Sequence, residues 1–202
     1  MTRAGLLVID MQRGFMEPTL PGIPYLEDSA QVRAVSERLL RAARESGLGI
    51  VFSKHSMHVD GSDVPVWLKD QIPPGWMIQG TEATEIWPTL APAPDEPVVV
   101  KNRFDAFLHT DLDQVLRLRG IDHLLVCGIL TNFCVETTAK SAMQRDYKVT
   151  VLSDATDAMS PNIHFQALEA LRTYAIDVRT TAEFFDGGTL SGVQPSACVG
   201  SV

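Results

Sequence analysis

Cysteine is scarce in this chain, and long apolar runs and blocks of like charge are missing. Only Cys127, Cys134 and Cys198 occur among 202 residues. An odd, sparse set builds no disulfide framework. With no C-x-x-C pair and no Cys/His cluster, structural zinc is not expected either. The opening MTRAGLLVIDMQ has an apolar stretch of only five residues before Asp10. That is shorter than the apolar part of a secretory signal and far too short to span a bilayer. The expectation is therefore a cytoplasmic protein with no membrane partner. The formal net charge is −8, with no run of five like charges. An evenly mixed acidic surface lacks the basic patch that nucleic acid requires. A small-molecule substrate is the expected partner.

What the chain does have is core material and alternation. Hydrophobic residues make up 45% and charged residues 21%, enough to bury a core without staples. Short apolar runs predict strands over 5–10, 48–55, 97–102, 123–129 and 148–156, with a sixth short strand inside 176–184. Between them, residues 29–47, 110–120, 134–146 and 162–175 carry a helical period. Asp28 or Ser29 can cap the first of these helices and Thr110 the second, and Gly47 and Gly120 stop them. Strands alternating with helices predict an α/β fold, a three-layer α/β/α sandwich around a mostly parallel six-stranded sheet. One domain over 1–185 is expected, with an irregular segment at 56–96 that holds half of the prolines and all three tryptophans. A stretch that long without regular structure is usually functional. Residues 186–202 form a tail without clear periodicity.

Ligands of such sheets bind at the carboxyl ends of the strands, so the chemistry at those ends carries the functional reading. Strand one ends at Asp10, strand three at Lys101 and strand five at Asp154. Strand four leads through the turn GILTNFC to Cys134, at the expected start of a helix. An acid, a base and a thiol are thus expected on one edge. A helix N-terminus and a nearby lysine favour a thiolate. Asp10 is suited to take the thiol proton and return it to a leaving amine, and backbone N–H groups of the turn are suited to face an oxyanion. The same residues have plainer readings: a cysteine as a small packed hydrophobe, an acid as a cap, a lysine as a solvated strand end. Cys127, inside the strand, is read as inert packing.

Four segments resemble one known family: LLVIDMQRGFM (6–16), GTEATEIWPTLAPAPDEPVVVKNRFDAF (80–107), LLVCGILTNFCVETTAKSAMQRDYKVTVLSDAT (124–156) and HFQALEALR (164–172). The chain is similar to the isochorismatase-like cysteine hydrolases, in the amidohydrolase branch near the N-carbamoylsarcosine amidase-like members. The resemblance implies the Rossmann-like fold of that family. It also implies a triad of Asp10, Lys101 and Cys134, and a cis peptide between Ile129 and Leu130. The N–H groups of Leu130 and Cys134 would form the oxyanion hole. It implies a homo-oligomer, dimer or tetramer. A retained cysteine favours hydrolysis of a C–N bond in a small amide, ureide or lactam through a thioester. The alternatives are an isochorismatase-type vinyl ether hydrolase using Asp10 as acid, and a scaffold that kept the fold without activity.

Some relatives bind a divalent metal through an Asp and two His after the second strand. Here FSKHSMHVDGSDV offers His55, His58, Asp60 and Asp63, in a different spacing, and Lys54 stands where the acid belongs. No metal and no cofactor are expected. Substrate contacts are assigned to Phe15, Trp76 and Phe133 as apolar walls, and to His55, Gln79 and Asn132 as polar groups.

Overall fold

The computed structural model describes residues 3–20, 26 and 29–185. The expectations placed on Asp28, Cys198 and the 186–202 tail lie outside the described residues.

Six strands form one parallel sheet: β1 (Ala4–Ile9), β2 (Gly49–His55), β3 (Val98–Lys101), β4 (His123–Ile129), β5 (Lys148–Asp157) and β6 (Asp177–Arg179). Their spatial order is β3-β2-β1-β4-β5-β6. Every residue of β1 and β4 is buried, which is why both read as unbroken apolar runs rather than as alternation. Alternate residues of β1 serve opposite faces. Leu6 and Val8 join the core that contains Val32, Val35, Leu39 and Leu40 of helix α2 (Ala30–Glu45). Leu7 and Ile9 join the core under α3 (Leu112–Leu118), α4 (Glu136–Met143) and α5 (Pro161–Thr173). The result is the expected three layers.

Helix ends follow local chemistry. Gly47, at φ 67°, ends α2 in the left-handed region that glycine adopts without a Cβ penalty. Ser29 precedes α2 without a side-chain capping bond. Ser160 caps α5 by accepting from the Ile163 N–H at 3.3 Å, and Pro161 occupies the first turn. Thr110 serves the start of α3, accepting from Leu112 N at 3.2 Å, although the residue flanking the helix is Asp111.

Three local expectations need correction. The segment 134–146 is not one helix: residues Thr131–Val135 form a π-helical turn, and α4 starts only at Glu136. Two four-residue helices, α1 (Arg13–Met16) and α6 (Thr181–Phe184), are too short to show a period. Asp154 does not end β5. It lies in an irregular part of that strand, where Val126 faces Val151 but Gly128 faces Thr156. Its carboxylate accepts from the N–H and hydroxyl of Thr181 at 2.7 and 2.6 Å, so it anchors α6 instead of joining the pocket.

Candidate active site

The strand order reverses its direction of growth between β1 and β4, the two strands that lie side by side with Ile9 opposite Gly128. Crevices open at such reversals, outside the carboxyl ends. Asp10 follows β1, the π-helical turn follows β4, and Lys101 closes β3.

Gly128 permits the close approach. Its φ is 121°, and a Cβ built on it would lie 2.0 Å from the main-chain oxygen of Ile9. Only glycine fits there. The peptide joining Ile129 to Leu130 is cis. The Leu130 carbonyl then accepts from the N–H groups of Phe133 and Val135 at 3.1 and 3.2 Å, which folds the turn back on itself. Thr131, fully buried, ties the turn to α5 through a 2.8 Å hydrogen bond between its hydroxyl and Nδ1 of His164.

These elements bring Asp10, Lys101 and Cys134 together. Lys101 Nζ lies 2.5 Å from Asp10 Oδ2 and 3.2 Å from Cys134 Sγ. All three residues are buried, with relative exposures of 0%, 2% and 5%. Lys101 donates a further bond to the Arg103 carbonyl at 3.0 Å. An ammonium has three protons, and this geometry directs each of them at a partner.

The electrostatics revise one expectation. Burial pushes the Cys134 thiol up to about 12, against the lowering influence of Lys101 and with Asp10 adding to the rise. Cys134 is therefore held as a neutral thiol, not a standing thiolate. Burial alone would lower Lys101. The negative charge of Asp10, with the hydrogen bonds to Asp10 and to the Cys134 sulfur adding to it, outweighs that and holds the lysine above its ordinary value, protonated. Cys127, raised to about 12 by burial alone, packs inside β4.

Two residues without a predicted role support this group. Ser53 of β2 donates its hydroxyl to Asp10 Oδ1 at 2.8 Å, and its carbonyl accepts from the Asp10 N–H at 3.1 Å. Asp10 itself sits at φ 50°, unusual for a residue with a side chain. Gln12, fully buried, donates to the carbonyls of His55 and Thr84 at 2.8 and 2.9 Å, and its oxygen accepts from the His55 N–H at 2.7 Å. It clamps the end of β2 to the Glu82–Thr84 turn. The sequence signals were the one hydroxyl in β2, following the apolar run Ile50 to Phe52, and an amide two residues beyond the acid.

The expected wall residues divide into two groups. Phe15, His55 and Trp76 form one aromatic cluster, with His55 and Trp76 ring centres 5.2 Å apart and Phe15 edge-on to both. Both ring nitrogens of His55 and the Trp76 indole nitrogen are buried without a hydrogen-bond partner among the described residues. Burial, with the charges of Lys101 and Arg103 adding to it, holds His55 well below its ordinary value, so it is neutral. Phe133 belongs to a second stack, 5.0 Å from Phe104, which in turn lies 5.4 Å from the exposed Trp67. Asn132 Oδ1 is also buried and unpartnered among the described residues. Gln79 is an exposed side chain, and its main-chain N–H bonds Met57. An open cavity of about 650 Å³ lies over the irregular segment, lined by Val59, Val64, Lys69 and Ile72, and Trp76 is the wall it shares with the aromatic cluster.

The residues of the expected metal position do not fit one. His58 Nδ1 pairs with Asp60 at 2.8 Å on the surface, and the Asp63 carboxylate is taken by the His58 N–H and the Asn102 amide. His55 faces the aromatic cluster instead. Among the described residues no group of three His, Cys, Asp or Glu is placed to share an ion. No helix among them is long and apolar enough to cross a membrane.

A buried ion pair and a buried thiol stand together at the reversal point of a parallel three-layer sheet, the place where such sheets bind small molecules. The chain belongs to the isochorismatase-domain family, whose model matches residues 4–183. It is 30% identical to the ureidoacrylate amidohydrolase RutB of Caulobacter vibrioides, over 94% of this chain and 92% of that one. Among solved structures, an isochorismatase family protein from Desulfovibrio vulgaris superposes with a TM-score of 0.83 at 34% identity, covering 91% of this chain and 97% of that one. N-carbamoylsarcosine amidase from Thermoplasma acidophilum superposes with a TM-score of 0.74 at 25% identity, covering 89% and 96%.

Proposed function

We propose that the protein is a cysteine-dependent amidohydrolase, cleaving a C–N bond in a small amide, ureide or lactam through a thioester. The observation that carries this is Cys134 Sγ held 3.2 Å from a lysine that is itself paired with a buried carboxylate. The activities for which RutB and N-carbamoylsarcosine amidase are named point the same way.

In this reading Cys134 gives its proton to Asp10 as the sulfur attacks the substrate carbonyl. A thiol raised by burial suits transfer during attack rather than before it. Lys101 balances the negative charge as it passes between carboxylate and sulfur. The oxyanion is held by the N–H groups of Leu130 and Cys134. Collapse breaks the C–N bond, and Asp10 returns the proton to the departing nitrogen. Water, deprotonated by Asp10, then attacks the thioester. The acid leaves, and the proton held by Asp10 restores the thiol. Phe15, His55, Trp76, Asn132 and Phe133 shape the substrate pocket, and no metal takes part in this scheme. The unit over 1–185 acts as one domain, in a cytoplasmic homo-oligomer whose size light scattering would measure.

The test is a panel of amides, ureides and lactams, assayed with the protein and with Cys134→Ala. Turnover by the first and none by the second supports the reading, as does a covalent adduct of substrate mass on Cys134. Full activity of Cys134→Ala overturns it. The second reading is vinyl ether hydrolysis with Asp10 as acid, in which Cys134 is dispensable. It requires turnover of isochorismate that survives Cys134→Ala.

A further inference from the structure

We propose that His164 is a positioning residue for the reacting turn: its Nδ1 accepts from the Thr131 hydroxyl and so keeps Leu130 and Cys134 seated at the carboxyl end of β4. The hold on Cys134 stands by itself; the part played by the Leu130 N–H rests on the amidohydrolase reading.

The argument starts from how few anchors the turn has. The Leu130 carbonyl accepts from Phe133 and Val135, but those bonds stay within the segment. Among the described residues, two side-chain hydrogen bonds tie Thr131–Val135 to other elements. Cys134 meets Lys101 of β3 at 3.2 Å, and Thr131 meets His164 of α5 at 2.8 Å. The Asn132 oxygen is buried without a partner among them. The first anchor is the reacting group itself, and it changes as sulfur gives up its proton. The second lies outside the chemistry and can hold the turn throughout.

The second anchor is itself built. His164 lies one turn inside α5, whose start Ser160 caps, and its own N–H bonds the Ser160 carbonyl at 3.0 Å. Its half-buried ring bonds the main chain of Ser153 in the sense that favours a ring proton, so the Ser153 carbonyl is the acceptor. With Nδ1 on Thr131, that proton belongs to Nε2. Burial lowers the imidazole, against the opposing charge of Asp157 and the Ser153 bond, and keeps it neutral. A neutral ring with Nε2–H has a bare Nδ1, so the Thr131 hydroxyl must donate to it. The Ser153 carbonyl is free for this because β5 bulges there. The strand advances from Val151 to Thr156 while β4 advances from Val126 to Gly128, and Ser153 falls outside the ladders on both sides. One chain of contacts thus joins three irregular features: the bulge in β5, the first turn of α5 and the π-helical turn that carries the thiol. Thr131 is fully buried, so loss of its partner leaves a hydroxyl with nowhere to turn but away from the site.

The experiment reads Cys134 against Cys127 on the full chain and needs no turnover. Cys127 lies inside β4 and meets iodoacetamide only when the sheet opens, whereas Cys134 is also released when the turn alone moves. Burial raises the Cys134 thiol more than Lys101 lowers it, so a loosened turn gains both access and thiolate. In Thr131→Val and in His164→Gln the ratio of Cys134 to Cys127 alkylation, read by peptide mass spectrometry, should rise about 10-fold, the size of one lost hydrogen bond. His164→Gln keeps a donor for Ser153 and loses the acceptor for Thr131. His164→Asn does the reverse, setting an amide oxygen where Nδ1 stands, and Thr131→Ser keeps the hydroxyl. Both of these should stay within about threefold of the unaltered protein. The double variant Thr131→Val, His164→Gln should be no looser than either single one, because the same bond is lost once. An unchanged ratio in Thr131→Val, equal ratios in His164→Asn and His164→Gln, or additive effects in the double variant overturn the proposal. So does an equal rise at both cysteines, which would mean that the bond only stabilises the fold. If Thr131→Val does not fold, the two His164 variants decide. Absence of turnover across the amide panel would sink the amidohydrolase reading while the ratio still decides the hold on Cys134. With turnover, kcat should fall about 10-fold in Thr131→Val and His164→Gln with KM little changed. A change in KM alone overturns the part assigned to the Leu130 N–H.

Discussion

Asp10 and Lys101 form an ion pair 2.5 Å long in which neither side chain has any exposed surface. Removing one charge from such a pair leaves the other buried and uncompensated, at a cost of about 3–5 kcal/mol. Lys101→Met alone should therefore lower stability by about 3 kcal/mol. Asp10→Asn combined with Lys101→Met should recover much of that loss, because no lone charge remains. Urea unfolding of the two single variants and the double variant measures the coupling. Additive losses would mean that the pair is not coupled as its geometry requires.

Ser53 holds the oxygen of Asp10 that Lys101 does not contact. Ser53→Ala removes that donor without touching the thiol. The expected effect is about a 10-fold fall in kcat, with a stability loss of about 1 kcal/mol. KM should change little, since the hydroxyl orients the acid rather than the substrate. Steady-state kinetics on any turned-over substrate, with a thermal melt, would show it. A change in KM alone would speak against this positioning role.

Gly128 should tolerate no side chain. In Gly128→Ala the new methyl meets the Ile9 carbonyl, in a backbone conformation that alanine avoids. The strands must separate at the point that sets the Asp10-to-Cys134 spacing. A loss of about 3 kcal/mol, and of activity well beyond the fraction unfolded, is expected. Denaturation midpoints and specific activity below the melting range give both numbers. Native stability would refute the close-approach argument.

Acid should weaken the fold through His123. This residue begins β4, is 3% exposed, and shares a 2.9 Å hydrogen bond with Thr150. Burial, with Lys148 adding to it and Asp177 opposing, lowers it to about 4. A group lowered on folding binds its proton more readily in the unfolded chain. Its contribution is therefore whole above about 6.5 and is lost as pH falls toward about 4. The loss should be about 2 kcal/mol, less than the full shift implies because the surroundings adjust. His55 titrates in the same sense, so His123→Gln should flatten the acid dependence only in part. Urea midpoints between pH 7 and 4.5 test this, and identical slopes for both proteins would count against it.

The strands were legible because β1 and β4 are buried on both faces, which leaves nothing but apolar residues between their ends. The longer helices were legible because α2 packs one stripe, Val32 to Ala43, against the sheet. Four-residue α1 and α6 and the single π-helical turn complete too few turns to leave a period. For that reason Cys134 was expected at an α-helix start and lies in a π-helical turn instead. Asp10, Lys101 and Cys134 were found by the rule that strand ends gather on one edge, which is a property of any parallel sheet. The same rule misled at Asp154, because it cannot foresee a strand that bulges and continues past its acid.

Taken alone, then, the sequence determined the alternation of strands and helices, the edge on which chemistry collects and the residue types on it. These depend on burial and period, which are local. Tertiary structure alone decided which groups touch. Ser53 reaches Asp10 because β2 borders β1, and Gln12 reaches His55 and Thr84 across the same border. It also decided the charge states. Removal from water raises the Cys134 thiol more than Lys101 lowers it, and no reading of neighbours along the chain contains that desolvation.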